Sequence, residues 1–239
     1  MKVVAVSQAR MTSTRLPGKV MLDLAGAPLL QRHLTRLARA RLVDEVIVAV
    51  PQGPVSDPIR ELAKTLGLVC IDGPEHDVLE RFRRAAQATA AECLVRVTSD
   101  CPFIDPDLVD LTITALQQQA LDYATLDAPG SYPRGLDVEV FTRAALETAA
   151  EEAVDPSERE HVTAFFYRCP QRFEQARITG GPGAFARLCI DEQADLDLAR
   201  QVFEDFGGRD DMTLEDLHRW ALDNPQKVLI NQSIEQKKS

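Results

Sequence analysis

Residues 3–19 read VVAVSQARMTSTRLPGK. The apolar, β-branched run Val3–Ser7 predicts a strand, and it gives way at once to a polar loop. That loop sets Arg10, Arg15 and Lys19 within ten residues, in company with Ser13, Pro17 and Gly18. The whole chain carries a net charge of −10, yet residues 1–41 hold eight Lys/Arg against a single Asp, Asp23. The first segment is therefore at +7 and the remainder at −17. An acidic protein that gathers cations around its first strand–loop unit is set to meet a polyanion there. So short a loop suits a small phosphorylated ligand better than a nucleic-acid groove.

At 239 residues with 45% apolar content, the chain is long enough to bury a full core as one large α/β domain, or one domain with a small lobe. The five cysteines, Cys70, Cys93, Cys101, Cys169 and Cys189, are never closer than eight residues, which excludes a CxxC zinc or redox site. Most lie in apolar runs and read as small hydrophobes of a reducing, cytoplasmic compartment. The first six residues hold five apolar side chains, too few for a signal-peptide core, and no later run reaches transmembrane length. The acidic balance argues against nucleic acid and anionic membranes as partners.

Working outward from the first strand, Leu29–Arg41 reads as a helix with Pro28 at its start, and Glu45–Val50 as a strand buried on both faces. Ile59, Leu62, Ala63 and Leu66 mark a helix that stops at Gly67, followed by a short strand Leu68–Ile71. Asp77 and Glu80 cap a helix through about Ala91, Cys93–Thr98 is a strand, and Asp105-Pro106 opens the next helix. This β-α-β-α-β-α-β-α order over roughly 120 residues predicts a parallel sheet with right-handed crossovers. The second half (121–231) reads as strands at Asp122–Thr125, Asp137–Phe141, Phe173–Ile178 and Arg187–Ile190. Helices are expected from Asp155-Pro156 to Arg168, at Ala194–Phe206 and at Leu214–Leu222, the last capped by Thr213 and Asp216. This half completes the sheet and forms a small lobe over the site, with a polar frayed tail at 232–239.

Ligands of open parallel sheets bind beyond the carboxyl ends of the strands. The basic loop, Asp100 after Cys93–Thr98 and Asp191 after Leu188–Ile190 all fall there. Cations opposite carboxylates suit a nucleoside triphosphate with Mg²⁺, whose hard oxygen shell takes one or two carboxylates plus phosphate oxygens. The loop matches neither GxxxxGK[ST] nor GxGxxG. Alternatives stand beside each reading: a solvated loop for the three cations, a helix cap for Asp191, and a packed helix residue for His161.

The stretch QARMTSTRLPGKVMLDLAGAPLL (8–30) resembles the signature of the cytidylyltransferase family that includes the CMP-Kdo and CMP-neuraminate synthetases. It is most similar to the branch of spore-coat polysaccharide biosynthesis nucleotidyltransferases. The resemblance continues in family order through GPEHDVLERF (73–82), VRVTSDCPFIDPDLVD (95–110), YPRGLDVEVF (132–141), SEREHVTAFFY (157–167) and CIDEQADLDLAR (189–200). It implies a Rossmann-like three-layer α/β/α fold with a mostly parallel sheet, of the nucleotide-diphospho-sugar transferase type. It also implies a Mg²⁺-dependent enzyme that moves CMP from CTP to a sugar or sugar acid in surface polysaccharide or glycoconjugate precursor synthesis. On this resemblance Arg15 and Lys19 are the main phosphate cations. Gln8, Ala9, Arg10, Ser13, Asp77, Val78 and Ser99 complete the nucleotide site, and Asp100 and Asp191 hold the metal. Arg134, Asp137, Glu139, Glu160 and His161 match segments lining the acceptor pocket. Related enzymes are often dimers, which makes 120–180 the candidate interface of a homodimer. Two departures stand out: Thr12 where the family often has Gly, and Cys101 where the Kdo enzymes place Glu after the metal Asp. A glycosyltransferase of related fold and a non-catalytic nucleotide-binding protein are the competing readings.

Overall fold

Along the first strand, β1 (Val3–Gln8), side chains alternate between two apolar environments. Val3 and Ala5 enter one core and Val4 and Val6 the other. A strand buried on both faces needs cover on both sides, and the chain supplies it as crossover helices. The computed structural model describes residues 1–234. Its first half runs β1, α1 (Leu29–Leu37), β2 (Glu45–Pro51), α2 (Asp57–Thr65), β3 (Val69–Gly73), α3 (Val78–Thr89), β4 (Cys93–Thr98) and α4 (Pro106–Gln118). The second half adds β5 (Tyr123–Leu126), β6 (Glu139–Thr142), α5 (Arg143–Glu152), α6 (Pro156–His161), α7 (Ala164–Arg168), β7 (Gln175–Ile178), α8 (Gln193–Asp205), α9 (Leu214–Asp223) and α10 (Pro225–Val228). Part of the polar tail expected from Gln232, residues 235–239, lies outside the described residues.

The strands form one sheet in the order β3-β2-β1-β4-β6-β5-β7. Only β6 runs against its neighbours; the other ladders are parallel. Helices α1, α2, α4, α8 and α9 contribute to the core on one face, and α3, α5 and α7 to the core on the other, a three-layer α/β/α architecture. The order reverses at β1, with β2 on one side and β4 on the other. In an open α/β sheet that reversal leaves a crevice beyond the strand ends.

Three sequence expectations need correction. The helix predicted to reach Arg41 ends at Leu37, because the Asp110 carboxylate captures the amides of Arg41 and Leu42 at 3.1 and 2.9 Å. The helix expected over 155–168 is broken into α6 and α7 at Val162, a fully buried residue held at φ +53°. A β-branched side chain at positive φ is strained, and such strain often gathers at functional sites. Arg187–Ile190 is no strand of the sheet; only Arg187 forms an isolated parallel bridge, with Arg134. Leu188 N donates to Arg134 O at 2.7 Å and Ile190 N to Asp100 O at 2.8 Å, so its bonds go to two different neighbours. Finally, α5 was not foreseen. Its alanine-rich stretch is capped by Thr142, whose hydroxyl accepts from Ala145 N at 3.2 Å, and it packs on α3.

Candidate active site

The crevice at the ends of β1 and β4 is a cavity of about 290 Å³ lined by the loop after β1, the start of α3, the end of β4, the end of α6, and Asp191. The loop leaves β1 with Ala9 N donating to Ala49 O at 3.0 Å and closes on itself with Gly18 N donating to Met11 O at 3.0 Å. Gly18 sits at φ +67°, a conformation that costs a side-chain-bearing residue about 1–2 kcal/mol. That turn points Lys19 inward. Thr12, which departs from the family pattern, ties the loop to Glu75 through a 2.7 Å hydrogen bond.

Lys19 is the hub. Its side chain is 11% exposed, and its ammonium donates to Asp100 Oδ2 at 2.6 Å, Ile190 O at 2.7 Å and Asp191 Oδ1 at 3.0 Å. All three N–H donors are thereby engaged. Burial pulls the Lys19 ammonium down, but the charges of Asp100 and Asp191 overcome it and hold the group above its ordinary value. Burial likewise pushes the Asp100 carboxyl up, and the adjacent Lys19 charge and hydrogen bonds bring it down to about 2. Both groups are ionised at neutral pH.

Asp191 is held from three sides. Arg15 Nη2 lies 2.9 Å from Oδ1, which also takes Lys19, and Arg187 Nη2 lies 2.6 Å from Oδ2. Arg15 also reaches Glu192 at 3.4 Å. The segment is set by Asp195, whose buried carboxylate accepts from the amides of Asp191 and Glu192 at 2.9 and 3.0 Å, from Arg187 at 3.1 Å and from Asn231 at 2.8 Å. The sequence reading of Asp191 as a plain helix cap is displaced: Glu192 is the N-cap of α8, in a reciprocal capping box with Asp195.

Two carboxylates converging on one cation are the donor set that a hard divalent ion takes. Among the described residues no group of three or more His, Cys, Asp or Glu is gathered to hold a metal. Asp100 and Asp191 therefore fit Mg²⁺ only with phosphate and water oxygens completing the shell.

Of the residues singled out in the sequence, Gln8, Ala9, Arg10, Ser13, Arg15, Lys19, Val78, Ser99, Asp100, Glu160, His161 and Asp191 line this cavity together. Arg10 and Glu160, both half exposed, face each other at 3.7 Å. Four others are not among the lining residues. Asp77 caps α3, accepting from Glu80 N at 2.9 Å, and pairs with Arg159 at 2.6 Å. Arg134 and Asp137 pair with each other at 3.2 Å, and Arg134 lines a second cavity near Asn231. Glu139 is 7% exposed and lies behind the wall, its carboxylate taken up by Arg96, Tyr123, Tyr167 and Thr163.

Sequence reasoning overlooked Thr14, Val20, Arg96 and Thr98, which also line the cavity, as does Arg81. Arg81 is 2% exposed and donates to the carbonyls of Pro74 and Glu75 at 3.1 and 3.3 Å. Arg96 had a signal: an arginine inside the run CLVRVT, read as a buried strand, demands a partner and a purpose. Among the described residues no helix is long and apolar enough to cross a membrane.

The family model described as cytidylyltransferase matches residues 4–230. An uncharacterised protein of Methanocaldococcus jannaschii is 33% identical, over 99% of this chain and 97% of its own. The spore coat polysaccharide biosynthesis protein SpsF of Bacillus subtilis is 29% identical, over 93% and 95%. A 3-deoxy-manno-octulosonate cytidylyltransferase of Geobacter sulfurreducens is 36% identical over 49% of this chain and 46% of its own. Among solved structures, a cytidylyltransferase of Leptospira borgpetersenii superposes with a TM-score of 0.91 at 29% identity, covering 99% of this chain and 100% of that one. The fold is shared more distantly, with a TM-score of 0.67 at 21% identity and 86% of this chain covered, by a CMP:2-keto-3-deoxy-manno-octonic acid synthetase complexed with CTP, covered in full. With a basic loop, two converging carboxylates and a match over nearly its whole length, the chain belongs to the cytidylyltransferase family.

Proposed function

We propose that this protein transfers the CMP unit of CTP to a hydroxyl of a sugar or sugar acid and releases pyrophosphate, supplying an activated sugar for surface polysaccharide or glycoconjugate synthesis. The observation that carries this reading is the convergence of Asp100 and Asp191 on Lys19, with Arg15 alongside, at the crevice where the strand order reverses.

The acceptor oxygen attacks the α-phosphorus, the bond from that phosphorus to the bridging oxygen breaks, and pyrophosphate leaves with the electron pair while the acceptor's proton passes to water. Phosphate oxygens arriving in the crevice compete with the two carboxylates for Lys19 and Arg15. Once turned to the phosphates, these cations stabilise the charge that grows on the departing pyrophosphate. Asp100 and Asp191, released from Lys19, are the residues that would hold Mg²⁺, which when bound supplies Lewis-acid polarisation and a template for both substrates. The walls orient the reactants, and much of the rate enhancement comes from that positioning. No side chain stands out as an obligatory general base.

The test is pyrophosphate release with Mg²⁺ and each of the four nucleoside triphosphates, against a panel of sugars and sugar acids. The expectation is release with CTP that Asp100→Asn abolishes. Undiminished release from that variant, or release with another triphosphate in place of CTP, refutes the assignment. Sugar transfer from a nucleotide sugar without pyrophosphate would point to the glycosyltransferase reading instead.

A further inference from the structure

Glu139 sits behind the cavity wall, at the centre of a buried polar cluster. Its Oε1 accepts from Tyr123 and Tyr167, each at 2.6 Å, and from Thr163 at 2.7 Å. Its Oε2 takes Nη1 of Arg96. Burial pushes the Glu139 carboxyl up, but Arg96 and the three hydroxyl donors overcome it and leave the group below its ordinary value. Arg96 is gripped a second time where its Nε donates to Gln8 Oε1 at 3.1 Å. The remaining nitrogen, Nη2, has no partner among the described residues, although the side chain is only 15% exposed and lines the cavity.

So many contacts on one arginine fix its direction. A guanidinium carries donors and no acceptor, so its free edge can be met only by lone pairs. The other lining cations are committed elsewhere: Lys19 and Arg15 to Asp100 and Asp191, Arg10 to Glu160, and Arg81 to two carbonyls. Arg96 comes from β4 and touches the nucleotide segment only at its first residue, Gln8. It lies on the sheet face one side-chain row below Thr98, paired across to β6. The cavity wall also includes Glu160 and His161 of α6, the latter two residues before Thr163, which donates to Glu139 at 2.7 Å. A triphosphate held by the loop leaves this place to the second substrate.

We propose that Arg96 is the acceptor-specificity residue, binding the carboxylate of a sugar acid through Nη2, and that Glu139 is the positioning residue that aims it. This rests on the cavity being the site of nucleotidyl transfer. One charge-assisted contact of this kind sets a preference of about 10–100-fold for the acid over a neutral analogue.

The experiment titrates the protein, with and without CTP, with 2-keto sugar acids and aldonic acids. Each is paired with the neutral sugar in which the carboxylate is reduced to an alcohol, and sugar phosphates form a third arm. The wild type is expected to bind at least one acid tenfold or more above its neutral partner. Arg96→Gln is expected to erase that preference while leaving CTP affinity within about twofold, and Arg96→Lys to restore part of it. Arg96→Gln strands Glu139, so the double variant Arg96→Gln/Glu139→Gln removes both charges together and must show the same lost preference in a folded protein. Tyr167→Phe, a milder change to the brace, is expected to raise the acid's KM and leave the KM for CTP unchanged. The proposal is overturned if no acid binds above its neutral partner, if Arg96→Gln weakens CTP and acid alike, or if only sugar phosphates depend on Arg96. Failure of CTP to bind the wild type while the acid preference persists would sink the nucleotidyl-transfer reading and leave Arg96 as an acid-binding residue.

Discussion

Replacing Lys19 by Met removes the ammonium that Asp100 and Asp191 share while keeping most of its apolar stem. Asp100 sits at about 2 in the fold against its ordinary 3.8, a depression corresponding to about 2.5 kcal/mol of stability at neutral pH. Breaking a buried ion pair from one side costs about 3–5 kcal/mol, because the other charge is left uncompensated. Arg15 and Arg187 remain on Asp191, so the loss centres on Asp100 and falls at the lower end, about 3 kcal/mol. The sign with pH follows. In the wild type the depressed carboxyl contributes stability that is complete above 3.8 and lost as the pH falls through about 2. In Lys19→Met, burial is opposed only by the hydrogen bonds from Thr98 and the backbone, and the expectation is that the Asp100 carboxyl rises above its unfolded value, so that its charge costs stability at pH 7 and the cost disappears on acidification. Urea unfolding of both proteins at pH 7 and at about pH 4.5 should therefore show a gap that narrows in acid. Adding Asp100→Asn to Lys19→Met should recover part of the loss, as a coupled pair requires. A gap below about 1 kcal/mol that ignores pH would refute the hub assigned to Lys19.

Arg15→Ala should lower kcat by about 10²–10³-fold, measured as pyrophosphate release, with unfolding stability changed by under about 1 kcal/mol. His33, fully buried with Nδ1 2.9 Å from Cys101 O, is held by burial down to about 4 from 6.5. The unfolded chain takes its proton first, so about 3 kcal/mol of stability is lost as pH falls from 6.5 toward 4, and His33→Gln should flatten that stretch of the stability–pH curve. Gly135 lies at φ +101°, and a Cβ there would meet Cys189 N and the Leu188 carbonyl carbon at 2.4 Å. Gly135→Ala should cost more than about 2 kcal/mol in thermal unfolding and loosen the segment that carries Asp191.

Much of the architecture was legible because its signals are local. Alternation in VVAVSQ, the unbroken apolar run of EVIVAV and the caps at Asp77, Asp105 and Thr213 each act within a few residues. Apart from α5, whose cap at Thr142 is local, the elements misjudged were those set by partners far along the chain. Asp110 ends α1, and Arg134 and Asp100 share the backbone of the Leu188–Ile190 segment. The same division holds in the site. The cationic loop and Asp100 were visible as a strand end followed by charged residues. What Glu139 does was not: its position suggested a wall of the pocket, and its burial made it the anchor of Arg96.

The sequence by itself determined the alternating strands and helices, the charge gathered on residues 8–19 and the family, because periodicity, capping and motif order are properties of the chain in one dimension. Only the tertiary structure decided which cation meets which carboxylate. Lys19 reaches Asp100 across 81 residues and Asp191 across 172, and such pairings are selected by how the buried sheet and its helices close, not by any neighbouring residue.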